Sequence, residues 1–194
     1  STSAGRPRIV CGAAVAAAGQ PPIAGAATAS ASIEAAMRPF SRDFMSGNHC
    51  MPTRPLNSCR MTSVLAFDTA GERMTVALAS GERRWSKRGA GGSQASAALL
   101  PAILGLLDEA GLRLADLDAI AFGRGPGAFT GLRTACSVAQ GLAFGAAKPV
   151  LPIDSLLVVA EAARRGATAF GTWAAIDARM DQVYAAEYRF ADGR

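Results

Sequence analysis

The segment GRGPGAFTGLR, at residues 123–133, joins a buried strand predicted at 117–122 to a helix predicted at 130–145. Its glycines allow positive φ angles and let other backbone approach closely. The first amides of the following helix have no acceptor within that helix, so the junction is suited to binding an anion. The spacing matches neither a Walker A loop nor the dinucleotide-binding pattern GxGxxG. These residues alone favour a phosphate-binding loop and a purely structural turn equally, and Thr130 is the predicted N-cap in both cases.

Hydrophobic patterns on either side of this segment predict further strands and helices. Strands are expected at 63–67, 75–79, 82–87 and 150–153, helices at 93–110 and 156–164, and a final strand pair at 172–177 and 182–188. With the central strand and helix included, the order is β-β-β-α-β-α-β-α-β-β. This order predicts an α/β fold in which helices flank a sheet, and the last strand pair begins a second unit.

Composition divides the chain near Met61. Residues 1–60 are rich in Ala, Gly, Pro and Ser without a regular period, and they hold six arginines and two acids, so most of the net charge of +5 lies there. We expect this part to be a disordered or non-native N-terminal extension, with Met61 as the natural start. Residues 61–170 form the first predicted domain, and residues 171–194 form the first hairpin of a truncated second domain.

The sequence also excludes several classes of protein. No apolar run approaches the roughly 18 residues of a membrane-spanning helix, and Pro101 interrupts the longest one. From Met61 onward the chain has no histidine, which excludes a Ser-His-Asp or Cys-His relay and an HExxH metal site there. Cys136 is the one cysteine after Met61, which is typical of a protein from a reducing compartment, here the cytoplasm.

Asp68 and a stripe of small residues each have two interpretations. Asp68 ends the first predicted strand, where a carboxylate can hold a hydrated Mg²⁺ ion near phosphates or cap the turn through its own backbone, and we favour the turn. The central helix carries Gly131, Ala135, Ala139 and Ala143 at every fourth position. This stripe and the leucines of the preceding helix indicate either internal helix packing or a subunit interface.

Four segments together resemble one bacterial family. They are LAFDTA at 65–70, GRGPGAFTGLR at 123–133, AQGLA at 139–143 and AIDARMDQVY at 175–184. From residue 61 onward the chain resembles the TsaB (YeaZ) family, in the TsaD/Gcp-like branch of the actin/Hsp70/sugar-kinase superfamily. The resemblance implies an actin/Hsp70-like (ribonuclease H-like) fold with a mixed sheet flanked by helices, in which two similar α/β domains face a cleft.

The resemblance implies a non-catalytic subunit, with no catalytic residue and no metal. Its partners would be TsaD, in a heterodimer, and the ATPase TsaE, with a homodimer as the alternative when TsaD is absent. The complex would install the threonylcarbamoyl group on N6 of adenosine 37, just 3′ of the anticodon, in ANN-decoding tRNAs. The threonylcarbamoyl-adenylate donor would come from TsaC, and this chain would meet tRNA only through the complex.

The resemblance also implies which residues face ligands and partners. Residues that match the superfamily's phosphate loops, as vestiges, are Asp68, Thr69, Gly123, Gly125, Gly127 and Thr130. No cofactor is required, and we expect weak binding of ATP or ADP because the second phosphate loop is incomplete. The residues expected at the interface with TsaD lie on two helices and are Leu99, Ile103, Leu107, Gly131, Ala135, Ala139 and Ala143.

Two other functions compete with this interpretation. The first is a Mg-ATP-dependent phosphotransferase of the sugar/acetate-kinase superfamily, in which Asp68 and the glycine-rich segment would hold the nucleotide. It requires a catalytic acid and an intact second domain, and the sequence shows neither. The second is a glycoprotein peptidase, which the absence of histidine after Met61 disfavours.

The chain departs from the family at one position. Many members carry a Glu-His pair where this chain has Gln94-Ala95, so an anion-binding role there is in doubt.

Overall fold

The computed structural model describes residues 10–13 (backbone only), 63–91, 94–164, 167, 169–179 and 181–191. Expectations for the rest of residues 1–60, and for Met61 as a start, lie outside the described residues. The strands are β1 Val10–Ala13, β2 Ser63–Asp68, β3 Arg73–Ser80, β4 Arg83–Ala90, β5 Ala119–Gly123, β6 Val150–Ile153, β7 Phe170–Arg179 and β8 Gln182–Phe190. The helices are α1 Ala95–Ala110, α2 Phe129–Ala146 and α3 Ser155–Arg164.

The larger of the two described sheets has the strand order β4-β3-β2-β5-β6. β2, β3 and β4 form an antiparallel meander, whereas β5 runs parallel to both β2 and β6. Parallel neighbours need a crossover connection, and α2 supplies the one between β5 and β6. The sheet is therefore mixed, and its parallel part brings the carboxyl ends of β2, β5 and β6 to the same edge.

The two faces of the larger sheet are packed differently. One face holds large apolar side chains against α1 and α2. Those of the sheet without exposed surface include Leu65, Phe67, Val76, Leu78 and Ile120, and they pack with Leu99 and Ile103 of α1. The other face carries small side chains on which Val158 of α3 packs, namely Val64, Ala66, Ala77, Ala79 and Ala121. Successive strand residues point to opposite faces, so the alternation of large and small residues along β2 and β3 decides which helices cover which face.

α3 lies between the larger sheet and the smaller one. The smaller sheet has the order β1-β8-β7, and β7 and β8 form an antiparallel hairpin. Val158 of α3 belongs to the apolar cluster of the larger sheet, whereas Leu156 and Ala160, both without exposed surface, pack against the hairpin. The two apolar sides of this one helix therefore hold the hairpin against the first sheet.

The order of elements from β2 to β8 confirms the prediction, as does the α/β class with a mixed sheet flanked by helices. The main difference in bounds is at β4, which extends beyond the predicted residue 87. Gly89 and Ala90 continue to pair with Met74 and Arg73 of β3, because β3 also begins earlier than predicted. The division into domains at residue 170 stays a prediction.

Candidate functional site

The carboxyl end of β2 forms a tight turn around Asp68. The Ala70 N–H donates to Oδ1 of Asp68 (2.6 Å), and the Ser155 hydroxyl donates to Oδ2 (3.0 Å). Asp68 is buried, and this burial raises the pKa of its carboxyl, although hydrogen bonds from Ala70, Ser155 and Thr69 oppose the rise. The carboxyl group therefore caps its own turn, which confirms the structural alternative drawn from the sequence.

The glycine-rich segment packs directly on this turn. A Cβ atom at Gly123 would collide with the carboxyl group of Asp68, and one at Gly127 would lie 2.6 Å from the Cβ of Ala70. The Ala128 N–H donates to the Ala70 carbonyl (2.7 Å). The absence of side chains at these glycines is thus required for close backbone approach.

Two further contacts hold the turn and the glycine-rich segment together, and we call this set of contacts the interlock. The Thr69 hydroxyl donates to the Gly131 carbonyl (2.6 Å), and a Cβ at Gly131 would collide with the carbonyl oxygen of Thr69. Gly125 has a φ of +96°, a conformation that favours glycine, and its carbonyl accepts the Ser155 N–H (2.9 Å). The turn after β2 and the glycine-rich segment are therefore bound to each other.

Thr130 does not cap the helix, so this prediction was wrong. α2 begins at Phe129, and its N-cap residue is Ala128, whose side chain makes no capping hydrogen bond. The observed N-cap lies two residues before the predicted one, and its N–H donates to the Ala70 carbonyl. Thr130 is exposed, and its carbonyl accepts a hydrogen bond from the Thr134 hydroxyl (3.0 Å).

A cleft of about 1060 Å³ lies between this junction and the β7–β8 hairpin. It is lined by Ala70, Gly71, Glu72, Gly91, Gly127, Ala128, Phe129, Thr130, Ile176, Asp177, Ala178, Asp181 and Tyr184. Three of these residues are acidic, and the described lining contains no lysine or arginine. The start of α2 attracts anions, but the carboxylates of Glu72, Asp177 and Asp181 repel them.

The six residues assigned to nucleotide binding do not meet at one surface. Gly127 and Thr130 line the cleft, whereas Asp68, Thr69, Gly123 and Gly125 are not among its lining residues. Those four are buried and take part in the interlock. Weak binding of ATP or ADP stays a prediction, and it would have to use the start of α2 rather than Asp68.

Asp154 is a structural residue that sequence reasoning missed. Its Oδ1 accepts the N–H groups of Leu156 (2.9 Å) and Leu157 (3.3 Å) and the hydroxyl of Tyr188 (3.3 Å), and its Oδ2 lies 3.8 Å from Nη2 of Arg124. It thus caps α3 and connects it to β8. The signal that singled out Asp68, an acid directly after a short apolar strand, is also present here after β6.

The seven residues assigned to a partner interface need a correction. Leu99, Ile103, Leu107, Gly131, Ala135, Ala139 and Ala143 are all buried inside the described fold. Core packing and interface formation produce the same helical period, and here the period marks the core. The exposed apolar residues of α1 and α2 lie on other faces of these helices: Leu100 (42% exposed), Leu104 (50%), Phe129 (65%) and Phe144 (92%).

Two features are absent from the described residues. These residues contain no group of three or more His, Cys, Asp or Glu side chains that could hold a metal ion. None of their helices is both long enough and apolar enough to cross a membrane.

Comparison with known proteins identifies the family. A sequence model described as "TsaD: tRNA N6-adenosine threonylcarbamoyltransferase" matches residues 92–194, which is more than half of the chain. The chain belongs to the TsaD family. The solved structure titled "YeaZ from Pseudomonas aeruginosa" is 47% identical to this TsaD-family chain, with a TM-score of 0.64, and the match covers 69% of this chain and 63% of that one.

Curated relatives named TsaB are similar to about two thirds of this chain. The "tRNA threonylcarbamoyladenosine biosynthesis protein TsaB" of Haemophilus influenzae is 46% identical over 123 residues, which are 63% of this chain and 52% of that protein. The protein of the same name from Escherichia coli is 40% identical over 132 residues, or 65% and 54%. The resemblance drawn from sequence is thereby confirmed. The matched part of the chain spans about half the length of these relatives.

Proposed function

We propose that this chain serves the biosynthesis of threonylcarbamoyladenosine at position 37 of ANN-decoding tRNAs. In this proposal it is a non-catalytic subunit of the cytoplasm that binds TsaD in a heterodimer and works with the ATPase TsaE. The observation that carries the proposal is 40–46% identity to two proteins named as TsaB of this pathway. The match spans only about half the length of each relative, so the activity and partners of the longer protein enter here as part of the proposal.

The geometry around Asp68 supports a non-catalytic role. An acid that held Mg²⁺ for phosphoryl transfer would need carboxylate oxygens open to the metal and its waters. Both oxygens of Asp68 instead accept hydrogen bonds from Ala70 and Ser155 inside the fold, and burial favours the protonated carboxyl. The three carboxylates that line the cleft disfavour the phosphates of ATP for the same electrostatic reason. These features count against the alternative, a sugar/acetate-kinase-like phosphotransferase.

The exposed faces of α1 and α2 supply the apolar surface for TsaD. Leu100 and Leu104 lie one turn apart on α1, and Phe144 of α2 is almost fully exposed. A stable complex buries about 1,600 Å² in total, and exposed leucine and phenylalanine side chains give such an interface its apolar centre. A homodimer formed without TsaD would compete for this surface.

A pull-down tests the partner. The full chain should retain purified TsaD at micromolar concentration, and Leu104→Ser should weaken retention by about tenfold, which corresponds to roughly 1.4 kcal/mol. The matched control is Leu157→Ser, because Leu157 of α3 is comparably exposed (39%, against 50% for Leu104) but lies on another element. Equal losses for both variants would contradict the proposed surface, and no retention by the unaltered chain would contradict the heterodimer.

A cellular assay tests the pathway. A bacterium depleted of its own TsaB should recover threonylcarbamoyladenosine in its tRNA, measured by mass spectrometry of nucleosides, when it expresses the full chain. Recovery should fail with Leu104→Ser and persist with Leu157→Ser. Turnover of Mg-ATP with phosphorylation of acetate or a sugar by the purified chain would favour the phosphotransferase instead.

A further inference from the structure

The outer edge of β7 has no partner strand in the described part of the chain. β7 lies at one border of the smaller sheet and pairs there only with β8. Regular pairing runs from Phe170 to Asp177, and a register shift follows between Asp177 and Arg179. Over residues 170–176, the backbone N–H and C=O groups that point away from β8 can therefore pair with a further strand.

The other outer edges of the two described sheets resist such pairing. β4 has the sequence RRWSKRGA, and cations on an edge strand discourage the approach of another strand. β6 contains Pro152, which has no N–H to donate, and both β6 and β1 are only four residues long. Residues 170–176 of β7, FGTWAAI, contain neither a charged residue nor a proline. Among the described edges, only that of β7 is long and lacks both kinds of protection.

The face of β7 that points away from α3 is apolar and exposed. Ala174 and Ile176 belong to the apolar cluster that includes Leu156 of α3, so Trp173 and Ala175, which alternate with them, lie on the opposite face. The side chain of Trp173 is 63% exposed, and Ala175 is exposed as well. Aromatic side chains are enriched in interfaces, where their burial removes a large apolar area from water. A strand that pairs with β7 covers part of Trp173 as well as the backbone edge.

We propose that β7 pairs in antiparallel fashion with β7 of a second copy of this chain. The two smaller sheets then form one continuous sheet across a two-fold axis that is normal to it. Because β7 has the one long unprotected edge among the described strands, a contact between copies through sheet edges joins β7 to itself. Such an isologous contact occupies both free edges and stops at a dimer. No like charges meet within residues 170–176, because this segment contains no charged residue.

The length of the paired segment determines the strength of this dimer. Residues 170–176 of the two copies form about seven hydrogen bonds, against about ten in a standard interface. The contact is narrow, and interfaces at the low end of the size range belong to weak or transient complexes. We therefore expect a dissociation constant of roughly 10–100 µM.

Two other contacts compete with the proposed one. A homodimer through the exposed faces of α1 and α2 would depend on Leu104 and would leave the edge of β7 free. A strand from a different protein, or from a longer protein like the relatives, would occupy the edge of β7 without producing a dimer of this chain. Of the three, the proposed contact alone makes protection of the β7 amides depend on the concentration of this chain.

Sedimentation equilibrium of the purified full chain tests the pairing. Between about 2 and about 200 µM, the unaltered chain should pass from mostly monomer to mostly dimer. Ala175→Lys places a cation on the exposed face of the edge strand, and like charges then approach each other across the axis. The dissociation constant of this variant should rise by about tenfold or more.

The matched control adds the same charge outside β7. Ala167→Lys alters an exposed alanine between α3 and β7 and should change the dissociation constant by less than about threefold, as should Leu104→Ser on α1. A chain that stays monomeric at about 200 µM would overturn the proposal, and so would equal losses in Ala175→Lys and Ala167→Lys. Loss of the dimer in Leu104→Ser with the dimer intact in Ala175→Lys would assign the contact to α1 and α2 and would overturn it as well.

Hydrogen exchange of the unaltered chain gives a readout that needs no variant. The outward amides of β7 are open to water in the monomer and hydrogen-bonded in the dimer, so their exchange slows as the dimer forms. Peptides from residues 170–176 should exchange about fivefold or more slowly at about 200 µM than at about 2 µM, and peptides from β4 should not change. Slower exchange in α1 with no change in β7 would overturn the proposal.

Retention of TsaD separates this inference from the proposed function. Ala175→Lys leaves the exposed faces of α1 and α2 unaltered, so this variant should retain TsaD as well as the unaltered chain does. A chain that dimerises through β7 but retains no TsaD would contradict the heterodimer and support the dimer. A chain that retains TsaD but stays monomeric would overturn the dimer alone.

Discussion

Asp68 places an ionisable group where ionisation is costly. Burial raises the pKa of its carboxyl, and two hydrogen bonds from the fold hold its oxygens in place. The native state therefore binds the proton more tightly than the unfolded chain does. It follows that this group contributes most to stability below its unfolded pKa of 3.8, and that the contribution is lost as pH rises through the higher native pKa.

Asp68→Asn should abolish this pH dependence. Asparagine can still accept the Ala70 N–H, and its amide can donate to the Ser155 oxygen, but it carries no charge. The free energy of unfolding of the variant should exceed that of the unaltered chain at pH 7, by about 1.4 kcal/mol for each unit by which the pKa is raised, and the two should converge near pH 4. Urea unfolding between pH 4 and 8 measures the difference.

The control for this experiment is Asp108→Asn, which alters an exposed carboxyl on α1. It should change the free energy of unfolding by less than about 0.5 kcal/mol at every pH. An Asp68→Asn variant that is less stable than the unaltered chain at pH 7 would show that the carboxylate is needed in its charged form.

At the residue scale the sequence predicted the role of Asp68 but not its partners. An acid after a buried strand is a local pattern, and the turn that it caps ends two residues later. Ser155 lies 87 positions away in the chain, and the hydroxyl of Thr69 reaches a carbonyl 62 positions away. Such contacts depend on which strand ends the topology brings together, and the local pattern does not contain this information.

α2 contains two glycines, Gly131 and Gly141, whose surroundings differ. Gly131 lies against the Thr69 carbonyl, with no space for a further atom. A Cβ atom at Gly141 would have no neighbour within 4 Å. In isolation both positions should prefer alanine, because glycine costs a helix about 1 kcal/mol relative to alanine. The tertiary contact reverses this preference at Gly131 alone.

Gly131→Ala and Gly141→Ala should therefore have effects of opposite sign. The first should lower the free energy of unfolding by about 1–3 kcal/mol, since the collision is with backbone that cannot rotate away. The second should raise it by up to about 1 kcal/mol. Urea denaturation measures both, and a stabilising Gly131→Ala would mean that the turn at Thr69 moves easily.

The elements themselves were the most predictable level of the structure. Periods of two and 3.6 residues indicated each strand and helix from β2 to β8, because burial of one face requires these periods. The same period misassigned the Leu99 and Ala135 faces to a partner, since a face buried in the core and a face buried in an interface have the same pattern. The acids of the cleft, such as Asp177, could not be found this way because three different loops and strands contribute them.

In the whole molecule, one carboxylate connects the two sheets. Asp154 follows β6 of the larger sheet, caps α3 and accepts the hydroxyl of Tyr188 from the smaller sheet. Burial raises the pKa of the Tyr188 hydroxyl, with a smaller contribution from the charge of Asp154, so the phenol remains a donor throughout the physiological range. Apolar packing of α3 on both sides adds to this attachment.

Substitutions at Asp154 and Tyr188 should not be additive. Tyr188→Phe removes one hydrogen bond and should cost about 0.5–1.5 kcal/mol, and Asp154→Ala should cost more because it also removes the helix cap. The free energy of unfolding of the double variant should match that of Asp154→Ala alone within about 0.5 kcal/mol, since Asp154→Ala already removes the acceptor of the Tyr188 hydroxyl. Additive costs in thermal unfolding would contradict this coupling.

Hydrogen exchange locates the effect in the molecule. Asp154→Ala should speed exchange in peptides from β7 and β8 more than in those from β2 and β3. Glu187→Gln is the control, because Glu187 forms an exposed ion pair with Arg189 on the same hairpin (2.8 Å) and should leave exchange there unchanged.

The interlock of Thr69 with Gly131 has a consequence for the evolution of this family. The two segments are distant in the sequence but lie in direct contact, with no space for a further atom between them. A larger side chain at one segment therefore requires a change in the position of the other. A lineage that acquires a side chain at position 131 must already have displaced the turn after β2, or must do so next. Substitution histories at the two segments should therefore change together along the branches of the tree.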